Sequence, residues 1–243
     1  MLKTLAILVL VVSATRAVAI VGPATDGASQ ASHVLMILKR SAKSAGFCTG
    51  VVVAPGVVLT AAHCVTDKNN LKLHFRDASG APVLLEVADV AVHPDFHADA
   101  QKTRVKTIDL ALVKSASPLP FSPAALDGSG VVAVGAAYTI AGYGLAREGD
   151  GTSGGTLRLG ALEARAPLSK ILLWAKDRAG SGTGACTGDS GAPIFDATGE
   201  KVVAITAWAD GAGKALCGSL TQGTLVAPQR GWMDGVLRGW GEP

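Results

Sequence analysis

The sequence predicts an all-β fold in two halves, and three observations point to it. Apolar residues make up 49% of the 243-residue chain and charged ones only 17%, which suits a well-buried core and argues against disorder. The 30 glycines and frequent valines favour many short strands joined by tight turns. The stretch Ser115-Ala116-Ser117-Pro118-Leu119-Pro120-Phe121-Ser122-Pro123 cannot be a central strand, because proline lacks the backbone donor. It reads as a crossing between the halves. Helical heptads, internal repeats and low-complexity blocks are absent from the sequence.

Residues 1–19 stand apart from the rest. Lys3 gives a positive start, residues 5–12 form an apolar run too short to cross a bilayer, and Ala17-Val18-Ala19 places small residues where a signal peptidase reads them. We expect a signal peptide over 1–19 and the folded unit over 20–243, its halves meeting near 122 and 123. Cleavage takes away Lys3 and Arg16, leaving 20 basic residues against 19 acidic ones. That balance argues against partners such as nucleic acid or an anionic membrane surface.

Strand-like runs in the first half fall at 34–38, 50–53, 57–60, 71–75, 83–92 and 110–114. The second half offers 131–134, 137–141, 156–164, 171–175, 193–195, 202–208 and 223–226, with a short closing helix over 234–240. Four cysteines in an exported chain imply two disulfides, for which three pairings exist. With no Cys-x-x-Cys spacing and no His/Cys cluster, neither a metal nor a cofactor is expected.

Three motifs carry chemistry. Gly188-Asp189-Ser190-Gly191-Ala192-Pro193 sets one serine among glycines, where the backbone turns tightly and leaves a hydroxyl exposed. A serine hydroxyl is a poor nucleophile until an imidazole takes its proton. Thr60-Ala61-Ala62-His63-Cys64 supplies an imidazole just after an apolar run. Ile108-Asp109-Leu110-Ala111-Leu112-Val113 places a carboxylate at the mouth of another, where an ionised group needs a partner. The remaining histidines, His33, His74, His93 and His97, have no comparable flanking pattern.

Together these motifs resemble the chymotrypsin/trypsin family of serine peptidases, in its chain order His, Asp, Ser. The resemblance implies two packed six-stranded antiparallel β-barrels, about 20–122 and 123–243, with the active site in the cleft between them and a short C-terminal helix. It implies a secreted or periplasmic monomeric endopeptidase acting on proteins or peptides through an acyl-enzyme. The alanine-rich makeup suggests a bacterial member. Ser190 would be the nucleophile, His63 the general base and Asp109 its orienter, with the Gly188 and Ser190 N–H groups as the oxyanion hole. The pairings implied are Cys48 with Cys64 and Cys186 with Cys217. Tyr143 stands where the family often has tryptophan.

In this family an Ile-Val-Gly-Gly start is freed by cleavage, and its α-amine pairs with the aspartate before the serine. Here that pair would be Ile20 and Asp189, with Pro23 replacing a glycine. Because Ala-Val-Ala abuts Ile20, signal peptidase itself is expected to create the amine. The specificity pocket would have Gly184 at its base, where trypsin-like members carry aspartate, and walls from Trp208, Ala209 and the strand near Gly223. These residues suggest a neutral, fairly open pocket for an apolar or aromatic side chain. Asp210 stands within reach of a basic side chain, and Lys106 in the loop 97–106 borders a neighbouring subsite. Two other readings share the sequence: a catalytically silent binding module on the same fold, and an esterase using the same triad.

Overall fold

The computed structural model describes residues 20–40, 45–65 and 67–242; the expected signal peptide lies outside them. Fourteen strands and two α-helices are arranged among them. In chain order these are β1 (Thr25–Asp26), β2 (Val34–Arg40), β3 (Ala45–Ala54), β4 (Val57–Thr60), β5 (Leu71–Arg76) and β6 (Pro82–Val92). Then come α1 (Ala100–Thr103), β7 (Ala111–Ser115), β8 (Ala125–Leu126), β9 (Ala137–Gly142), β10 (Arg158–Ala164) and β11 (Leu172–Lys176). The chain closes with β12 (Pro193–Phe195), β13 (Lys201–Gly211), β14 (Gly218–Leu225) and α2 (Arg230–Gly239).

Strands β2, β3, β4, β7, β6 and β5 close into one antiparallel barrel. A second six-stranded antiparallel barrel runs β9, β10, β11, β14, β13, β12, closed by pairing of β12 with β9. The short β1 adds to β10 and β8 lies parallel to β13, both outside the closed ring.

Side chains alternate across a strand, so a strand that is apolar at every position has both faces buried. Residues 57–59 of β4 do this. Val58 points into the first barrel with Leu35, Ile37 and Leu73, while Val57 and Leu59 join a separate cluster with Phe195, Val202 and Ile205 from the second barrel. Strand β7 repeats the pattern, Ala111 and Val113 going inward and Leu112 to the seam. Ile140, Leu162, Leu173, Ile194 and Leu225 fill the second barrel.

Two expectations need correction. Residues 131–134 form no strand, and Val131 and Val134 are 74% and 55% exposed. Asp127 accepts the N–H groups of Ser129 and Gly130, which turns the chain away from any sheet edge before the valines arrive. The closing helix starts one turn earlier than expected, at Arg230, because a 3-10 turn over Ala227–Gln229 leads into it. Its Met233 and Leu237, one helical turn apart, bury against the seam, and Lys114 Nζ donates to the Trp240 carbonyl at 2.6 Å.

His93 docks this helix on the first barrel. Its ring is 7% exposed, tilts against Trp232 with centroids 4.8 Å apart, and accepts the Asp95 N–H at Nδ1. That bond fixes the neutral Nε2–H tautomer. Burial holds the imidazole below its ordinary value; Lys106 acts in the same direction, and Asp95 and Gln229 oppose it. A base kept neutral in the folded state contributes stability that is complete above its unfolded value and is lost as pH falls through the folded one. His93→Asn should therefore lower the melting temperature at pH 7.5 and flatten its fall from about pH 7 to 5. Parallel thermal melts of the two proteins check this.

Candidate active site

Register brings His63 to Asp109. In the ladder between β4 and β7, Thr60 lies opposite Ala111, so residues just after Thr60 run beside residues just before Ala111. His63 follows on a 3-10 turn over Ala62–Cys64, whose last residue is tied to β3 by the Cys48–Cys64 disulfide. The Asp109 carboxylate then makes two contacts. Oδ1 accepts the His63 backbone N–H at 3.0 Å, and Oδ2 accepts the ring Nδ1–H at 2.7 Å. Holding main chain and ring together leaves the imidazole little rotational freedom, and with Nδ1 protonated Nε2 is a free base. The two sulfurs beside His63 are joined to each other, so they offer no thiolate to a metal.

Ser190 comes from the second barrel, on a loop closed by the Cys186–Cys217 disulfide. Asp189, fully buried, organises it: Oδ1 accepts the Gly144 N–H at 2.8 Å and Oδ2 the Cys186 N–H at 2.9 Å. Burial pushes this carboxyl up to about 7 against the pull of those two donors and of Arg158. Gly188 has φ +96°, and a Cβ there would stand 2.4 Å from the Phe47 ring, so only glycine fits. Neither the Gly188 nor the Ser190 N–H is used in a backbone hydrogen bond among the described residues, which leaves both available to an oxyanion.

The link across the seam is a residue the motifs do not reveal. Thr49 on β3 is fully buried and belongs to the first barrel, yet its N–H donates to the Ser190 carbonyl at 2.9 Å. Its Oγ1 donates to the Gly188 carbonyl at 2.9 Å and accepts the Tyr143 N–H at 3.1 Å. Thr60 Oγ1 in turn donates to the Thr49 carbonyl. A polar side chain inside an otherwise apolar strand was the signal available in the sequence.

His63, Asp109 and Ser190 line one cavity of about 630 Å³ with walls from both barrels. Among the described residues no direct hydrogen bond joins Ser190 Oγ to the imidazole, and none joins the Ile20 nitrogen to Asp189. Ile20 itself is fully buried in the second barrel's core, with Val21 bridged to Gly184. Trp208 and Ala209 line the cavity, as do Lys106 and His97. Asp210 is exposed and off it, its carboxylate accepting the Gly211 N–H.

Neither Gly184 nor Gly223, both expected in the pocket, is among the residues lining this cavity. A Cβ on Gly223 would point at Ala204 and Ile194 in the barrel core. One on Gly184 would meet Gly218 Cα at 3.1 Å and Thr221 Oγ1 at 3.3 Å. Thr221, which accepts the Ala185 N–H, is thus the β14 residue beside Gly184, while Gln222 and Thr224 of the same strand line the cavity.

A serine and a carboxylate-oriented imidazole lining one cleft between two β-barrels are the groups that acyl transfer by a serine hydrolase needs. The comparisons with known proteins make the class specific. The trypsin family profile matches residues 22–222. The vitellin-degrading protease of Bombyx mori is 27% identical over 85% of this chain and 81% of its own length. The trypsin of Saccharopolyspora erythraea is 27% identical over 68% and 76%. Mouse neuropsin superposes with a TM-score of 0.70 over 88% of this chain and 98% of its own at 20% identity. An inactivated protease paralogue of the scabies mite gives the same score over 90% and 99% at 19% identity. The chain belongs to the trypsin family, and it is a serine-type endopeptidase with protein or peptide substrates. Insect and bacterial relatives match at the same level, so the likeness does not single out a bacterial lineage.

Thr49→Val keeps the shape of the side chain but strands the Gly188 carbonyl and the Tyr143 N–H, each at a cost of about 1–3 kcal/mol. We expect kcat to fall by about tenfold or more with KM little changed, and Thr49→Ser to restore it. Steady-state kinetics on the three proteins measure the split.

Proposed function

We propose that the chain is an exported endopeptidase working through His63, Asp109 and Ser190, and that it cleaves after small apolar residues. The carrying observation is the two-point grip of Asp109 on His63, across a shared cavity from Ser190. Ser190 Oγ attacks the scissile carbonyl carbon while Nε2 of His63 takes its proton. Asp109 stabilises the imidazolium. The tetrahedral oxyanion accepts the N–H groups of Gly188 and Ser190, a donor pair in which each member typically supplies about 3–4 kcal/mol. Collapse gives the acyl-enzyme, and Nε2 returns the proton to the departing amine. Water, deprotonated by the same nitrogen, then releases the acid and the free serine.

The pocket reading moves from open to shallow. Thr221 Oγ1 and Gly218 Cα crowd the side-chain position of Gly184, and none of the three lines the cavity, which supports alanine or valine rather than phenylalanine before the cut. Two disulfides support an oxidising compartment, secreted or periplasmic. Among the described residues no helix is long and apolar enough to cross a membrane.

A peptide-amide panel varying only the residue before the cut tests both parts. We expect hydrolysis after Ala and Val, loss of it in Ser190→Ala, and a shift towards Phe in Thr221→Gly. Hydrolysis surviving Ser190→Ala would refute the triad, and an unaltered preference for Phe in the wild type would refute the shallow pocket. If the panel binds without turnover, the silent-module reading takes its place; turnover of esters alone would make it an esterase.

Cleavage before Ile20 would free an α-amine for Asp189. Such an amine titrates near pH 8 when unpaired, and pairing with the buried carboxylate raises it. The stabilisation is complete below the unfolded value and disappears as pH rises through the folded one. The form beginning at Ile20 should therefore lose activity reversibly in alkali, and a kcat/KM profile up to about pH 11 with no decline would count against the pair.

A further inference from the structure

Among the described residues two formally charged side chains are buried, Arg158 at 8% exposure and Asp189 at 0%. The sheet brings them together. Arg158 opens β10 directly opposite Gly142 on β9, and a Cβ on Gly142 would stand 2.1 Å from Asp189 Oδ1. The missing side chain at Gly142 is the space the carboxylate occupies. From the other side the guanidinium holds the incoming chain: Nη1 donates to the Ile20 carbonyl at 3.0 Å and Nη2 to the Ala24 carbonyl. Each charge also acts on the other, Arg158 drawing the Asp189 carboxyl down and Asp189 drawing the guanidinium up.

While residues before Ile20 remain attached, its nitrogen is an uncharged amide and cannot neutralise a buried carboxylate. An unpaired charge there disfavours the loop shape that displays Ser190. Among the described residues the loop is formed without a hydrogen bond from the Ile20 nitrogen to Asp189, whose carboxylate accepts from Gly144 and Cys186. We infer that Arg158 is a positioning residue that supplies the countercharge to Asp189 before cleavage, so the uncleaved chain already hydrolyses peptides at a reduced rate. Arginine suits the task because its charge persists at any accessible pH and its planar fork can grip two carbonyls.

This rests on the proposed pairing of Ile20 with Asp189 after cleavage, and the experiment separates the two. The protein is made with a removable N-terminal fusion joined directly to Ile20, and kcat/KM is measured with the fusion retained and after its release. We expect the fused form to keep roughly a hundredth or more of the released activity. Arg158→Gln should reduce the fused form by about a further tenfold while changing the released form less than about threefold, with Arg158→Lys restoring the fused form. In the wild type the fused form should hold its activity to about pH 10, because its Ile20 nitrogen is an amide and does not titrate.

Equal losses in both forms of Arg158→Gln would reduce Arg158 to a structural role and overturn the inference, as would a fused wild type that is silent beside an active released one. Should Arg158→Gln fail to fold, the wild-type alkaline profiles decide: a fused form declining with the same midpoint as the released form overturns it. Inactivity of both wild-type forms would instead defeat the peptidase mechanism itself.

Discussion

The seam between the two barrels is the constraint on which the rest depends. His63 and Asp109 follow β4 and precede β7, and Ser190 lies on the loop before β12, so the groups of the proposed triad come from opposite sides of an apolar interface. Burial of Leu59, Leu112, Phe195 and Ile205 makes that interface dense and stiff. Apolar packing alone does not define its register. Val58 and Leu59 on β4 are both apolar, and a slip by one residue would simply exchange their faces. Groups with only one satisfactory position exclude the slip. These are the Cys48–Cys64 link, the Thr60 hydroxyl on the Thr49 carbonyl and the Asp109 carboxylate on the His63 N–H.

The polar groups at the seam therefore specify more than they stabilise. Thr49 is bonded through N–H, carbonyl and Oγ1, and three of those bonds reach residues of the second barrel. A buried network of this kind is tolerated only when every member is satisfied. Asp189 is the more delicate member, because burial raises its carboxyl to about 7 even with two N–H donors in place. Burial opposes its ionisation, so in the proposed mechanism a neighbouring cation favours the charged form that accepts from the Ser190 loop.

Legibility in the sequence follows the same division between local and long-range causes. The triad motifs were visible because each residue type is demanded by chemistry and sits beside its own strand. The strands were visible because burial on both faces writes unbroken apolar runs such as Val57-Val58-Leu59. Residues 131–134 imitate such a run, but Asp127 and the flanking glycines belong to a turn. The pocket wall is harder to read along the chain. A shift of register between Thr206 and Trp208 puts Thr206 opposite Gly223 and Trp208 opposite Gln222. A bulge has no counterpart in residue type, so counting along the chain could not locate it. Arg158 and Thr49 escaped notice likewise, since each acts on partners more than a hundred residues away.

The likeness of this chain to mouse neuropsin and to an inactivated mite paralogue at one TM-score shows that the barrels by themselves do not carry the activity. Activity resides in a few groups whose positions the barrels permit. The specificity pocket makes the same point in the negative. Gly184 removes the charge that a basic substrate would need, yet its absent side chain yields no room, because Gly218 and Thr221 close over the space. Lys106 and His97 border the same cavity, whose one carboxylate is already engaged by His63. In the proposed reading, selectivity follows from what fills and charges the cleft around a common centre: crowding at Gly184 favours small side chains, and the cleft offers basic ones no free carboxylate.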